Sequence, residues 1–172
     1  MLSFSAVAVL AQSGKAADAI DAISAGIAGL RAIGTTLFDT YRLAHLALAY
    51  AELGKLEDAR QCIGEALTAA ETTKEQWYLA EINRVAGVIA LKSPEPDAAK
   101  AEAHFNRASV ARQQQAKSWE LRAATSLARL WRSRGKPQQA RELLAPVFNL
   151  FTEGFDTLDL KEATALLDEL HA

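Results

Sequence analysis

The sequence predicts an all-α, right-handed solenoid of about four helical hairpins with a C-terminal capping helix. Three observations predict it. Among 172 residues there are 36 Ala and 23 Leu but only 7 Ile and 6 Val, so strong helix formers dominate and the β-branched aliphatics that favour strands are scarce. Four prolines and nine glycines leave room for long uninterrupted segments. Finally, a turn followed by a helix with small residues at fixed offsets recurs four times.

The turns read Gly14-Lys15-Ala16, Gly54-Lys55-Leu56, Pro94-Glu95-Pro96-Asp97 and Gly135-Lys136-Pro137. Behind them stand Ala19, Ala59, Ala101 and Ala140, spaced 40, 42 and 39 residues apart. Four residues after each alanine comes Ile23, Ile63, Phe105 or Leu144, and three further on Gly26, Ala66, Ala108 or Val147. Those offsets put all three on one helical face. A helix also precedes each turn. Leu46, Ala47 and Tyr50 precede Gly54, and Leu127, Ala128 and Trp131 precede Gly135 at the same offsets. Ala86, Gly87 and Ala90 match them before Pro94, as do Ala6, Val7 and Leu10 before Gly14. Small residues let paired helices approach closely, and a glycine suits the left-handed residue that ends a helix.

In order, helices are expected at about 2–13, 15–32, 37–53, 55–71, 75–92, 97–114, 118–134, 136–152 and 157–171. They form hairpins over about 1–33, 36–72, 75–115 and 118–153, with a cap over 156–172, as one domain spanning 1–172. Thr36 with Asp39, and Thr73 with Gln76, have the spacing of capping boxes. Asp156 with Asp159 opens the last helix, whose apolar stripe is Leu160, Ala163, Leu167 and Leu170.

The net charge of −2 and pI of about 5.9 argue against nucleic-acid binding. The lone Cys62 cannot form an intramolecular disulfide, which fits a reducing compartment. Residues 1–12 are apolar but lack a basic leader and are too short to span a bilayer, so they read as a core-facing helix. No other apolar run is long enough to span one, and the expected setting is the cytoplasm.

The small residue after Leu46, the aromatic Tyr50, the turn Gly54, then Ala59, Ile63 and Ala66 resemble the tetratricopeptide repeat. The usual unit is about 34 residues; here it is nearer 40, similar to the longer-helix variety of large bacterial signalling and regulatory ATPases. From Trp119 onward, Glu120-Leu121-Arg122-Ala123-Ala124-Thr125-Ser126-Leu127-Ala128-Arg129-Leu130-Trp131, and later Phe151-Thr152-Glu153-Gly154-Phe155-Asp156-Thr157-Leu158-Asp159-Leu160, resemble the extreme C-terminus of bacterial class III adenylate or guanylate cyclase–ATPase multidomain proteins. Trp77, Glu81, Arg84, Gly87, Ala101, Phe105 and Arg107 are similar to the stretch just upstream. The likeness extends over roughly residues 40–172 and is strongest over 119–170; Leu158 stands where that family commonly has Pro. The cyclase and ATPase parts have no counterpart here, so neither activity passes to any residue of this chain.

No catalytic constellation emerges. The three Gly-Lys pairs lack the upstream Gly and the following Ser or Thr of a phosphate loop, and read as repeat turns. His45, His104 and His171 fall on separate helices without a second ligand at metal spacing. Cys62 precedes a core position and reads as a small packed residue. Trp131 shares the offset of Tyr50 and reads as core, while Trp77 and Trp119 open helices and are expected to pack across repeats. Glu81 and Arg84, three apart, form a local ion pair.

The first helices of stacked pairs should line a concave groove. Its expected contacts are Tyr41, Ala44, Leu48 and Ala51; then Glu81, Arg84, Val88 and Leu91; then Arg122, Thr125, Arg129 and Arg132. The three arginines form a stripe suited to an acidic peptide or partner face. The acids of the last helix (Asp156, Asp159, Glu162, Asp168 and Glu169) offer the stripe an alternative partner within the chain. The expected function is a non-catalytic protein-interaction or scaffold module, with no cofactor or metal and no nucleic-acid or membrane partner. The alternative is a regulatory or sensory tail acting on domains of a cyclase–ATPase parent. The uncapped N-terminal helix leaves a surface through which two copies could pair.

Overall fold

The computed structural model describes residues 16–171, with the side chain of Val110 left aside. The expected helix at 2–13, with Ala6, Val7 and Leu10, lies outside the described residues, as do the Gly14-Lys15 turn and the surface offered for self-pairing. The described residues form nine helices, one of them a single turn: α1 (Ala16–Ala32), α2 (Asp39–Glu52), α3 (Leu56–Thr73), α4 (Leu79–Lys92), α5 (Ala98–Ala108), α6 (Val110–Gln113), α7 (Lys117–Ser133), α8 (Pro137–Phe148) and α9 (Leu158–Glu169). The described residues contain no strand.

The repeat register is seen in burial. Ala19, Ala59, Ala101 and Ala140 are fully buried, and so are Ile23, Ile63, Phe105 and Leu144 to within a few per cent. Ala66, Ala108 and Val147 complete the face in the last three hairpins. In α1 the third position departs: Gly26 is exposed, and Ile27 is buried instead. An i, i+4, i+8 row of Ala19, Ile23 and Ile27 holds the inner face there, and position 26 rotates outward. Gly54 and Gly135 turn the hairpins with φ of 74° and 72°, the left-handed region that costs glycine no Cβ clash.

Several helix starts differ from expectation. Phe38, at φ 63°, breaks the chain before α2, which begins at Asp39. The Asp39 carboxylate turns back to Arg31 of α1, 3.0 Å away, so no Thr36–Asp39 capping box forms. Thr73 is the last residue of α3; its hydroxyl donates to the Ala69 carbonyl. Lys74 then turns left-handed at φ 60°, and α4 starts only at Leu79, so Thr73 and Gln76 make no box either. Thr157, not Asp156, precedes α9, and Asp159 is drawn to Arg122. The helix expected over 97–114 is interrupted at Ser109. The one expected over 136–152 ends at Phe148, two residues past Pro146, whose ring nitrogen cannot donate to the preceding turn.

Helices α2 and α3, α4 and α5, and α7 and α8 pack as hairpins, and α9 packs on α7 and α8. The first helices also adjoin, α2 to α4, α4 to α7, and α7 to α9. The core follows the chain in three linked clusters. One joins Ile23, Leu43, Ile63 and Ile82, one joins Ala90, Phe105 and Leu127, and one joins Leu121, Leu144, Leu160 and Leu167. The two helices of each hairpin thus pack most extensively on each other, and successive hairpins then stack, as in a solenoid.

Candidate functional site

The row α2, α4, α7, α9 encloses a cavity of about 880 Å³. Glu81, Arg84, Thr125, Arg122 and Arg129 line it, as do Leu48, Val88 and Leu91. Of the expected contacts, Tyr41 and Arg132 lie outside the lining, and Ala44 and Ala51 are buried beneath neighbouring helices.

Charged side chains line the groove along its length, with Leu48, Val88 and Leu91 among them. Towards the starts of the first helices, Glu81 is 3% exposed. Both of its oxygens accept from Arg84, Nη2 to Oε1 at 2.7 Å and Nε to Oε2 at 2.9 Å. The local ion pair expected from the spacing is therefore present, but it is buried. Arg122 Nη1 stands 3.8 Å from the same carboxylate. Burial pushes the Glu81 carboxyl up, but the charge and hydrogen bonds of Arg84, helped by Arg122, pull it further down, below the ordinary carboxylate value.

The arginine stripe meets α9. Arg122 Nε donates to Asp159 at 2.7 Å, Arg129 Nη2 donates to Glu162 at 2.9 Å, and Arg132 pairs with Glu169. Offsets of 0, 7 and 10 on α7 meet offsets of 0, 3 and 10 on α9. Glu52, at the far end of the groove, pairs with Lys92 at 2.9 Å. Every charged side chain lining the cavity is thus in an ion pair within the chain.

Thr125 is different. It is 5% exposed, lines the cavity, and its Oγ1 has no hydrogen-bond partner among the described residues. His45, missed as a groove residue, also lines the cavity; it sits four residues after Tyr41, a spacing that places it on the same face. Its Nδ1 is 3.1 Å from the Tyr41 carbonyl and 3.5 Å from the Tyr78 hydroxyl. Burial lowers its pKa below the ordinary histidine value.

Aromatic rings brace the helix starts. Trp77 lies 6.1 Å from Trp119 and 6.3 Å from Tyr41, and Tyr78 meets Trp119 edge-on at 5.5 Å. The two tryptophans do pack across repeats. Trp131 is half-buried rather than fully in the core, and its Nε1 donates to Glu102 at 2.9 Å. Cys62 is buried, and burial pushes its thiol up to about 11, so it stays protonated near neutral pH. Among the described residues no three His, Cys, Asp or Glu side chains are grouped as round a metal ion. Nor is any described helix long and apolar enough to cross a membrane.

A family model described as a tetratricopeptide repeat matches residues 40–73, the α2–α3 hairpin. The fold is tetratricopeptide-like. No curated protein and no solved structure matches the chain. Repeats of this kind generally mediate protein–protein contact through the surface their first helices present.

Proposed function

We propose that the protein is an interaction module that takes a segment of a partner protein into the groove formed by α2, α4, α7 and α9. The observation that carries this reading is the cavity itself. It lies on the row of first helices and is lined by half-buried Leu48, Val88 and Leu91 beside a buried polar floor.

A photo-crosslinking residue at Leu91 tests the reading in cells that make the protein, against the same residue at Arg141 on an exposed face of α8. A discrete adduct from Leu91, absent from Arg141 and lost with Val88→Arg, supports it. Equal labelling from both positions sinks it.

The likeness of residues 119–170 to the tails of cyclase–ATPase proteins supports a second form of the same reading. In it the partner is a domain of the same polypeptide, and the module regulates that domain. A phosphate loop and a cyclase domain encoded in the same reading frame would favour this form.

A further inference from the structure

We infer that the edge of the solenoid formed by the loops between hairpins is a self-association surface, which meets the same edge of a second copy across a two-fold axis. The inference goes beyond the groove reading. Of the side chains it uses, Leu158 and Asp159 also border the groove, as does the buried Glu81.

Three observations carry it. First, exposed apolar side chains collect on this edge. Successive hairpin helices alternate in direction, so the four loops that lead into α2, α4, α7 and α9 lie on one edge, and the turns at Gly54, Pro94 and Gly135 on the other. Ring contacts join the first three loops: Phe38 lies 5.7 Å from Trp77, and Trp77 lies 6.1 Å from Trp119. The Arg122–Asp159 pair ties the start of α9 to that of α7. Seven large apolar side chains are exposed among the described residues. Six of them, Ile33, Leu37, Trp77, Leu150, Phe155 and Leu158, stand on these loops or on the first residue after one. Leu53 alone stands at the other edge. Apolar side chains gathered in this way mark a contact surface. Second, the charge of the edge is self-complementary. Counted from the last turn of one helix to the first turn of the next, the loop before α2 carries Arg31 and Arg42 against Asp39, an excess of one positive charge. The loop before α4 carries Lys74 against Glu71, Glu75 and Glu81, an excess of two negative. Before α7, Arg112 and Lys117 stand against Glu120, one positive; before α9, Lys161 stands against Glu153, Asp156 and Asp159, two negative. The signs run plus, minus, plus, minus. Reversing that order inverts every sign, which lets the patch meet itself across a two-fold axis. The first loop then faces the other copy's fourth, and the second faces its third. A surface of anionic lipid would call for an edge that is basic throughout. Third, the edge is large enough. Four loops about 10 Å apart and two helices deep present about 800 Å², the area that each partner of a standard interface buries.

The test is the mass of the full chain in solution, read by light scattering at micromolar concentration. It should be twice the chain mass of 18.5 kDa. Leu37→Glu and Phe155→Glu should each weaken the dimer more than about tenfold, while Leu53→Glu at the opposite edge leaves it unchanged. Lys117→Glu should weaken it as well, and Glu75→Lys in the same chain should restore it, because the two positions face each other between copies. The order of the loops is read by mixing Leu37→Cys chains with Phe155→Cys chains and adding a short bismaleimide, which bridges two thiols. The two variants should link to each other and neither to itself; Cys62 is buried in both. Melting curves of all variants separate lost association from lost folding.

A monomer, or a dimer indifferent to Leu37→Glu and Phe155→Glu, overturns the inference. So does a dimer in which Leu37→Cys links to itself and not to Phe155→Cys, since the copies then pair in another order. A monomer that binds anionic vesicles through Leu37 and Phe155 assigns the edge to a membrane and overturns it too. Each of these outcomes leaves the groove reading standing, because that reading is tested by crosslinking at Leu91.

Discussion

Glu81 with Arg84 on α4, and Arg129 with Glu162 between α7 and α9, are the same two chemical groups in two environments. Glu81 and Arg84 have side chains 4% and 17% exposed; Glu162 and Arg129 have 42% and 49%. The first is made within one helix and roofed by His45, Tyr78 and Arg122, while the second bridges the last hairpin to the capping helix in water. In the buried half of the groove a charge has no alternative to its partner. In the exposed half water competes for both groups. The same ion pair therefore fixes the floor at one end of the groove and contributes little to stability at the other.

Breaking the buried pair should produce the largest effect. Glu81→Ala leaves the Arg84 guanidinium without its bidentate acceptor and should cost about 3–5 kcal/mol, read by denaturant unfolding. The double variant Glu81→Met with Arg84→Met replaces both charges by apolar side chains and should return most of that loss. A double variant as unstable as the single one would show that the pair is worth more than its desolvation.

Helix α4 also makes a close crossing with α5. A Cβ on Gly87 would stand 2.7 and 2.9 Å from two carbons of the buried Phe105 ring, and closer still to a third. At matching offsets the neighbouring hairpins carry Ala47 with Ile63 and Ala128 with Leu144, all buried. The smaller first residue is accompanied by the larger second one. Gly87→Ala should therefore overpack the α4–α5 contact and cost about 1–3 kcal/mol. Gly87→Ala with Phe105→Leu recreates the α7–α8 combination and should recover most of it. In the other half, Ala140→Phe should cost a similar amount, about 1–3 kcal/mol, by wedging α8 from α7; an unchanged melting temperature would refute the repeat register.

These crossings were legible in the sequence, and the groove floor only partly. Ala19, Ala59, Ala101 and Ala140 marked the hairpins because burial at a close crossing selects a residue type at a fixed offset. Gly54 and Gly135 marked turns for an equally local reason. The capping boxes at Thr36 and Thr73 failed because distant partners compete for short polar side chains: Arg31 takes the Asp39 carboxylate, and Thr73 back-bonds into its own helix. The spacing of Glu81 and Arg84 announced their pairing, but their burial depends on what α2 and α7 lay over them. The orphaned hydroxyl of Thr125 left no signal, since it is defined by groups that do not reach it.

Acid should act on the groove floor through His45 first and through Glu81 second. His45 has a folded pKa below its ordinary value, so its contribution to stability is full above about pH 6.5 and is lost as pH falls through the lowered value. Glu81, also lowered, contributes fully above its ordinary value near 4.5 and loses that contribution only as pH falls further, through its depressed folded value. Stability should therefore fall in two stages, and His45→Gln should remove the upper one. The groups facing His45 are the Tyr41 carbonyl, the Tyr78 hydroxyl, Glu81, Arg84 and Arg122, and the last two oppose its protonation. A single transition below pH 4.5, unchanged by His45→Gln, would place the acid sensitivity elsewhere.

The smallest effect belongs to the exposed half, and it is the sharper test of the comparison. Reversing Arg129 and Arg132 to Glu breaks the pairs with Glu162 and Glu169, whose side chains are 42% and 57% exposed. Exposed pairs contribute about 0–1 kcal/mol each, so global melting should move little. The local consequence is more specific. Helix α9 remains held by Leu160, Ala163, Leu166 and Leu167 in the last core cluster, but two of its acids now face like charge. Hydrogen exchange should quicken over residues 158–169 and stay unchanged over α4, because a terminal element opens without unfolding its neighbours. Reversing Glu162 and Glu169 to Lys in the same chain should restore protection, as expected for groups that act through each other. If exchange over α9 is unchanged by the first reversal, its apolar stripe alone holds the cap and the arginine stripe is free to serve a partner. The matched charges of the groove would then no longer argue against an acidic one.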